Sequence, residues 1–193
     1  MPIPTDKATR LSAQKGITMK HTLRPLLCLL LTLCLTLSFA ACNGGNWRDD
    51  LTAAQLADSV TASLSATDGW RQVSESYISA SLWGEDYADY LDKVTEYRIV
   101  VSENSDMNID EVGIFLCKSE KDAKTVAQFA RDYVDTKKLH LSDQLKSYNP
   151  AELPKLDYAT VNVMGRYVMY TLLSSADTTT AGSAMEKALT PAA

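Results

Sequence analysis

The chain has 193 residues, enough for one domain once a leader is set aside, and its 46% hydrophobic and 22% charged residues are those of an ordinary globular protein. The net charge of −5 hides an asymmetry: residues 1–41 carry Lys7, Arg10, Lys15, Lys20 and Arg24 against Asp6 alone, so the remaining 152 residues hold 14 basic and 23 acidic side chains, a net of −9. Such a surface argues against nucleic acid as a partner and is repelled by anionic lipid, so any membrane attachment has to be covalent or apolar.

Met19-Lys20-His21-Thr22-Leu23-Arg24 is a short basic stretch, and the sixteen residues that follow Pro25, LLCLLLTLCLTLSFAA at 26–41, are apolar or small. This is the order of a cleaved secretory signal peptide, with Met19 read as the true start and residues 1–18 as an over-extended start. A spanning helix needs about 20 apolar residues, and no basic cluster follows the run to hold it in the membrane. Phe39-Ala40-Ala41-Cys42 resembles a bacterial lipobox. The resemblance implies that Cys42 receives a diacylglyceryl group and that signal peptidase II, recognising Phe39, Ala40 and Ala41, cuts before it. The alternative is ordinary signal peptidase I cleavage after Ala40, with Ser38 and Ala40 as the small residues. On the first reading two acyl chains give stable anchoring, and residues 42–50, with Asn43-Gly44-Gly45-Asn46, form a flexible tether. Cys117 is then the single remaining thiol, so no disulfide forms within the domain, and its apolar strand marks it as a buried hydrophobe.

A globular domain is expected over residues 51–175. Thr52 with Gln55 makes a capping box, and Leu56, Val60 and Leu64 give the apolar stripe of a helix over 52–66, ended by Asp68-Gly69. The next segment is irregular and aromatic. Trp70, Tyr77, Trp83, Tyr87 and Tyr90 crowd into it, either as core residues beside the first helix or as a partner-binding patch. Tyr87, Leu91 and Val94 suit a short helix after Gly84, and Tyr97–Ser102 a strand.

Val112–Cys117 is apolar at every position, as in a central strand covered on each side. Ser119 with Asp122 begins a helix over 120–138, whose Lys137 and Lys138 suit a helix C-terminus. Residues 139–157 read as a linker with a helical turn near 142–147. Ala159–Met164 and Tyr167–Leu173 form a hairpin around Gly165-Arg166, where glycine suits the first central position of a type II′ turn. Residues 176–193 are a polar tail with a weak helix at 182–189. The order predicts an α+β fold: a four-stranded, mainly antiparallel sheet with helices packed on one face.

The search for chemistry returns little. His140 is the one histidine beyond the leader, too few for a histidine metal site. Asp106–Asp110 starts like a calcium loop, but Glu111 stands where glycine is needed and Cys117 where the bidentate glutamate belongs. Glu85, Asp86, Asp89 and Asp92 have the spacing of a hydrated helix face. No nucleophile elbow, Ser-Lys set or phosphate-binding glycine loop occurs. No catalytic residue, metal or cofactor is assigned.

One set of features has a familiar order: Asp110-Glu111-Val112-Gly113-Ile114 entering an apolar strand, a lysine-rich amphipathic helix, YNPAE at 148–152, and the hairpin around Gly165-Arg166-Tyr167-Val168. This resembles the DUF4358 family of domains of unknown function, in predicted lipoproteins of Gram-positive bacteria. The resemblance spans about residues 50–190 and implies an exported, lipid-anchored domain on the outer face of the cell membrane. It brings no catalytic residues. Glu111, Tyr148 and Tyr167 match the pattern, and each has a structural reading: strand entry, turn packing and hairpin packing. The expected function is non-catalytic binding of an envelope protein partner. The alternatives are a solute-binding lipoprotein of a transporter and an envelope hydrolase using Glu111 or the carboxylates at 85–92.

Overall fold

The computed structural model describes residues 46–65, 69–77, 87–103 and 108–192. Its centre is one sheet of five strands: β1 (Trp70–Gln72), β2 (Val94–Ser102), β3 (Glu111–Cys117), β4 (Thr160–Met164) and β5 (Tyr167–Leu172), in the order β1-β2-β3-β5-β4 with every pairing antiparallel. The expected sheet had four strands. The fifth is β1, a three-residue edge strand that pairs Trp70 with Ser102 and Gln72 with Val100. Three residues are too few to produce a readable alternation.

The helices are α1 (Ala53–Thr61), the single turn α2 (Glu75–Tyr77), α3 (Tyr87–Leu91), α4 (Glu120–Tyr148), α5 (Leu153–Asp157) and α6 (Ser175–Leu189). They cover both faces of the sheet, which corrects the expectation of one face. Strand alternation sorts the residues. Phe115 opposite Val168 and Gly113 opposite Tyr170 turn toward α4, where they meet Ala123, Val126, Ala127, Ala130 and Val134. Ile114 opposite Met169 and Leu116 opposite Tyr167 turn the other way, toward Leu56 and Val60 of α1 and Met185 and Leu189 of α6. Every residue of β3 is buried, as a strand with helices above and below it must be.

Local chemistry sets the element ends. Thr52 caps α1 in a complete capping box with Gln55, and α1 closes at Thr61, five residues before the expected end. Ser119 accepts the Asp122 N–H to start α4. That helix does not stop at Lys138. It runs to Tyr148 and ends at Asn149, directly before Pro150, so the expected linker is largely helical. The hairpin turn has Gly165 at φ 57°, a conformation that favours glycine. The last helix begins at Ser175, because Ser174 accepts the Asp177 N–H and caps it. Among the described residues no helix is long and apolar enough to cross a membrane.

Candidate functional site

Glu111 opens β3 on the α4 face and is 2% exposed. A carboxylate this deep has to be paired and hydrogen-bonded, because desolvating a lone charge costs several kcal/mol. Three donors meet that need. The Tyr133 hydroxyl donates to Oε1 at 2.8 Å and the Tyr170 hydroxyl donates to the same oxygen at 2.6 Å. Lys137 Nζ donates to Oε2 at 2.9 Å, with its own side chain only 20% exposed. Tyr133 and Lys137 are four residues apart on α4 and so lie on one helix face. Tyr170 comes from the neighbouring strand and stands edge-on to Tyr133, ring centroids 5.2 Å apart.

Gly113 makes the arrangement possible. It lies opposite Tyr170 in the sheet register, two residues from Glu111 on the same face. A Cβ at Gly113 would sit 2.0 Å from Tyr170 Cε1, far inside van der Waals contact with the ring. The phenol therefore crosses the strand through space that only glycine leaves open.

Asp110, one residue earlier, belongs to a second ionic group. Lys155 Nζ lies 2.7 Å from an Asp110 oxygen and 2.7 Å from a Glu152 oxygen. Glu152 also accepts the Ile109 N–H at 3.0 Å. Burial alone would lower the Lys155 pKa, but hydrogen bonds to Asp110 and Glu152 outweigh it and hold the amine above its ordinary 10.5. The two groups fasten the start of β3, α4 and α5 to one another.

Chemically, Glu111 is an engaged carboxylate, with donors on both oxygens. Cys117 is equally removed from chemistry: burial, with help from the Asp122 charge, pushes its thiol up to about 12. Among the described residues no group of three or more His, Cys, Asp or Glu is arranged to hold a metal ion. Asp89, Asp92 and His140 are exposed.

The structure places two of the aromatic candidates apart. Trp70 packs against the α1 and α6 side of the sheet, while Tyr90 stacks on Phe129 of α4, centroids 4.0 Å apart, on the other side. Trp83, the side chains of Tyr77 and Tyr87, and Phe39, Ala40, Ala41 and Cys42 lie outside the described residues. Exposed instead are Tyr148 at the end of α4, Tyr158 after α5, and Leu139. Sequence reasoning named Glu111 but missed Tyr133, Lys137, Tyr170 and Lys155. The legible signal was Tyr133 and Lys137 at i, i+4 facing a strand that contains both Glu111 and Gly113.

An antiparallel sheet between two helical layers, tied at one end by a buried Glu–Tyr–Tyr–Lys cluster, defines an α+β domain of three layers. Residues 86–173 match the family described as Domain of unknown function (DUF4358). Every residue of both ionic groups falls within the match, whereas α1 and α6 fall outside it. No curated protein and no solved structure matches the chain.

Proposed function

We propose that the chain is an exported lipoprotein, anchored through a diacylglyceryl group on Cys42, whose domain binds a protein partner at the cell envelope and catalyses no reaction. The leader carries this reading: a basic stretch, sixteen apolar or small residues and a lipobox-like Phe39–Cys42 stand directly ahead of the domain. Two features support the binding part. Glu111, the best-buried acid, is committed to three donors that hold helix to sheet. Tyr148 and Tyr158, 77% and 46% exposed, supply the aromatic surface that protein interfaces favour.

The anchor is tested by the mass of protein isolated from its native host. We expect residue 42 to be the N-terminus and to carry the acyl chains, and Cys42→Ser to leave the leader attached. An unacylated residue 42 or a retained leader in the wild type overturns the anchor. The binding role is tested by placing a photo-crosslinking residue at position 148 in intact cells. A discrete adduct with one envelope protein is expected. Recovery of a tightly held small molecule, with no adduct, overturns that role in favour of solute binding.

A further inference from the structure

The point at which the chain enters the domain is pinned to one end of the sheet. The Arg48 N–H donates to the Leu189 carbonyl at 2.9 Å, at the C-terminus of α6. Trp47 lies against Gly165 in the β4–β5 turn, so close that a Cβ there would be 3.3 Å from its own Cβ. Arg166 Nη1 reaches Asp49 at 3.2 Å, and the Tyr167 hydroxyl donates to the Leu51 carbonyl at 2.6 Å. Cys42 is five residues before Trp47. Five Cα–Cα steps span at most about 18 Å.

The opposite end is beyond that reach. The seven residues of β3 rise about 20 Å from Cys117, beside this turn, to Glu111. Helix α4 starts just after Cys117, meets Glu111 at Tyr133 and Lys137, and continues for eleven more residues to Tyr148. Those eleven residues add about 16 Å. Glu111 therefore stands about 20 Å from the entry point and Tyr148, past it along α4, up to about 35 Å, against the roughly 18 Å that the connection to Cys42 can span.

Resting on the lipid anchor at Cys42, we propose that the end of the domain formed by Trp47–Asp50, the Gly165–Arg166 turn and Lys118 is seated on the lipid headgroup layer. The end carrying Tyr148, Tyr158 and the Asp110–Lys155–Glu152 group is held away from the bilayer, toward partners. The domain is acidic as a whole, but at this end Arg48 and Arg166 offset Asp50 and Asp49. Lys118 is exposed beside them, Lys93 donates to the Asp89 carbonyl, and Glu120 and Asp122 open α4 at the same end.

The test uses the full-length lipoprotein from a host that acylates it, in phospholipid vesicles with a headgroup-bound acceptor dye. Donor dyes go on Lys118→Cys or Lys146→Cys, both exposed positions about 40 Å apart along α4. Cys117 is buried and stays unlabelled. Energy transfer from position 118 is expected to exceed that from 146 at least threefold. Equal transfer, or more from 146, on protein with an acylated residue 42 overturns the orientation and leaves the anchor standing. Transfer from neither, with an unacylated residue 42, removes the anchor and this proposal with it.

Discussion

At Glu111 a single buried carboxylate joins three elements, and the energetics follow from its surroundings. Lys137→Met removes the cation that contacts it, leaving a charge held by two phenols; breaking a buried pair in this way costs about 3–5 kcal/mol. Glu111→Gln in the Lys137→Met background removes the stranded charge and should recover part of the loss. Urea unfolding of the two single variants and the double variant measures the coupling, and additive costs would mean that the two groups do not interact. Gly113→Ala acts on the same cluster from below. The new methyl collides with the Tyr170 ring and pulls its hydroxyl off Glu111, so a loss of at least about 3 kcal/mol is expected. In a Tyr170→Leu background the ring is gone and the same change should cost far less. A Gly113→Ala protein within about 0.5 kcal/mol of wild type would contradict this picture.

At the scale of elements, helix starts were legible in the sequence and helix ends were not. The three longer helices each start at a side chain that accepts a backbone N–H: Thr52, Ser119 and Ser174. The first two were read correctly. The third, Ser174 with Asp177, carries the same spacing but precedes Thr178-Thr179-Thr180, whose poor helix propensity masked it. Lys137 and Lys138 looked like a helix end because lysines favour one; Lys137 instead turns inward to Glu111, and no helix breaker stands before Asn149-Pro150. The two-sided burial of β3 was visible in its unbroken apolar run, but which helices supplied the second cover depends on pairings distant in sequence. The α6 cap also carries a pH dependence. Burial would raise the Asp177 pKa, but hydrogen bonds from the Ser65 N–H, the Ser65 hydroxyl and Ser174 outweigh it and hold the carboxyl below its ordinary 3.8. The charged form is thus favoured in the folded state. Its contribution is complete above pH 3.8 and is lost as pH falls through the lowered folded value. Asp177→Asn should therefore lie below wild type in urea midpoint at neutral pH and converge with it in acid; a gap that stays constant into strong acid would remove Asp177 as the cause. Ser174→Ala should cost about 1 kcal/mol at neutral pH.

For the whole molecule the family match and the folding unit have different boundaries. Residues 86–173 contain β2 to β5 and α4, and with them one complete layer contact between helix and sheet. They lack α1 and α6, the elements that cover Val100, Val112, Ile114, Leu116, Tyr167 and Met169. Removing that cover would expose one whole face of a sheet, including large apolar side chains whose burial is worth about 1.5–3 kcal/mol each. A domain of this size has a margin of only about 5–15 kcal/mol, so the uncovered face alone is comparable with all of it. We therefore expect a fragment of residues 86–173 to be aggregated, or to bind a hydrophobic dye without a cooperative thermal transition. A fragment of residues 46–192 should unfold in one sharp step, because Arg48 on Leu189 and Ser65 on Asp177 join α1 and its approach to α6. Circular dichroism on the two fragments decides it. Cooperative unfolding of the shorter one would mean that the α4 layer alone carries the fold, and that α1 and α6 were added to a sheet already stable without them.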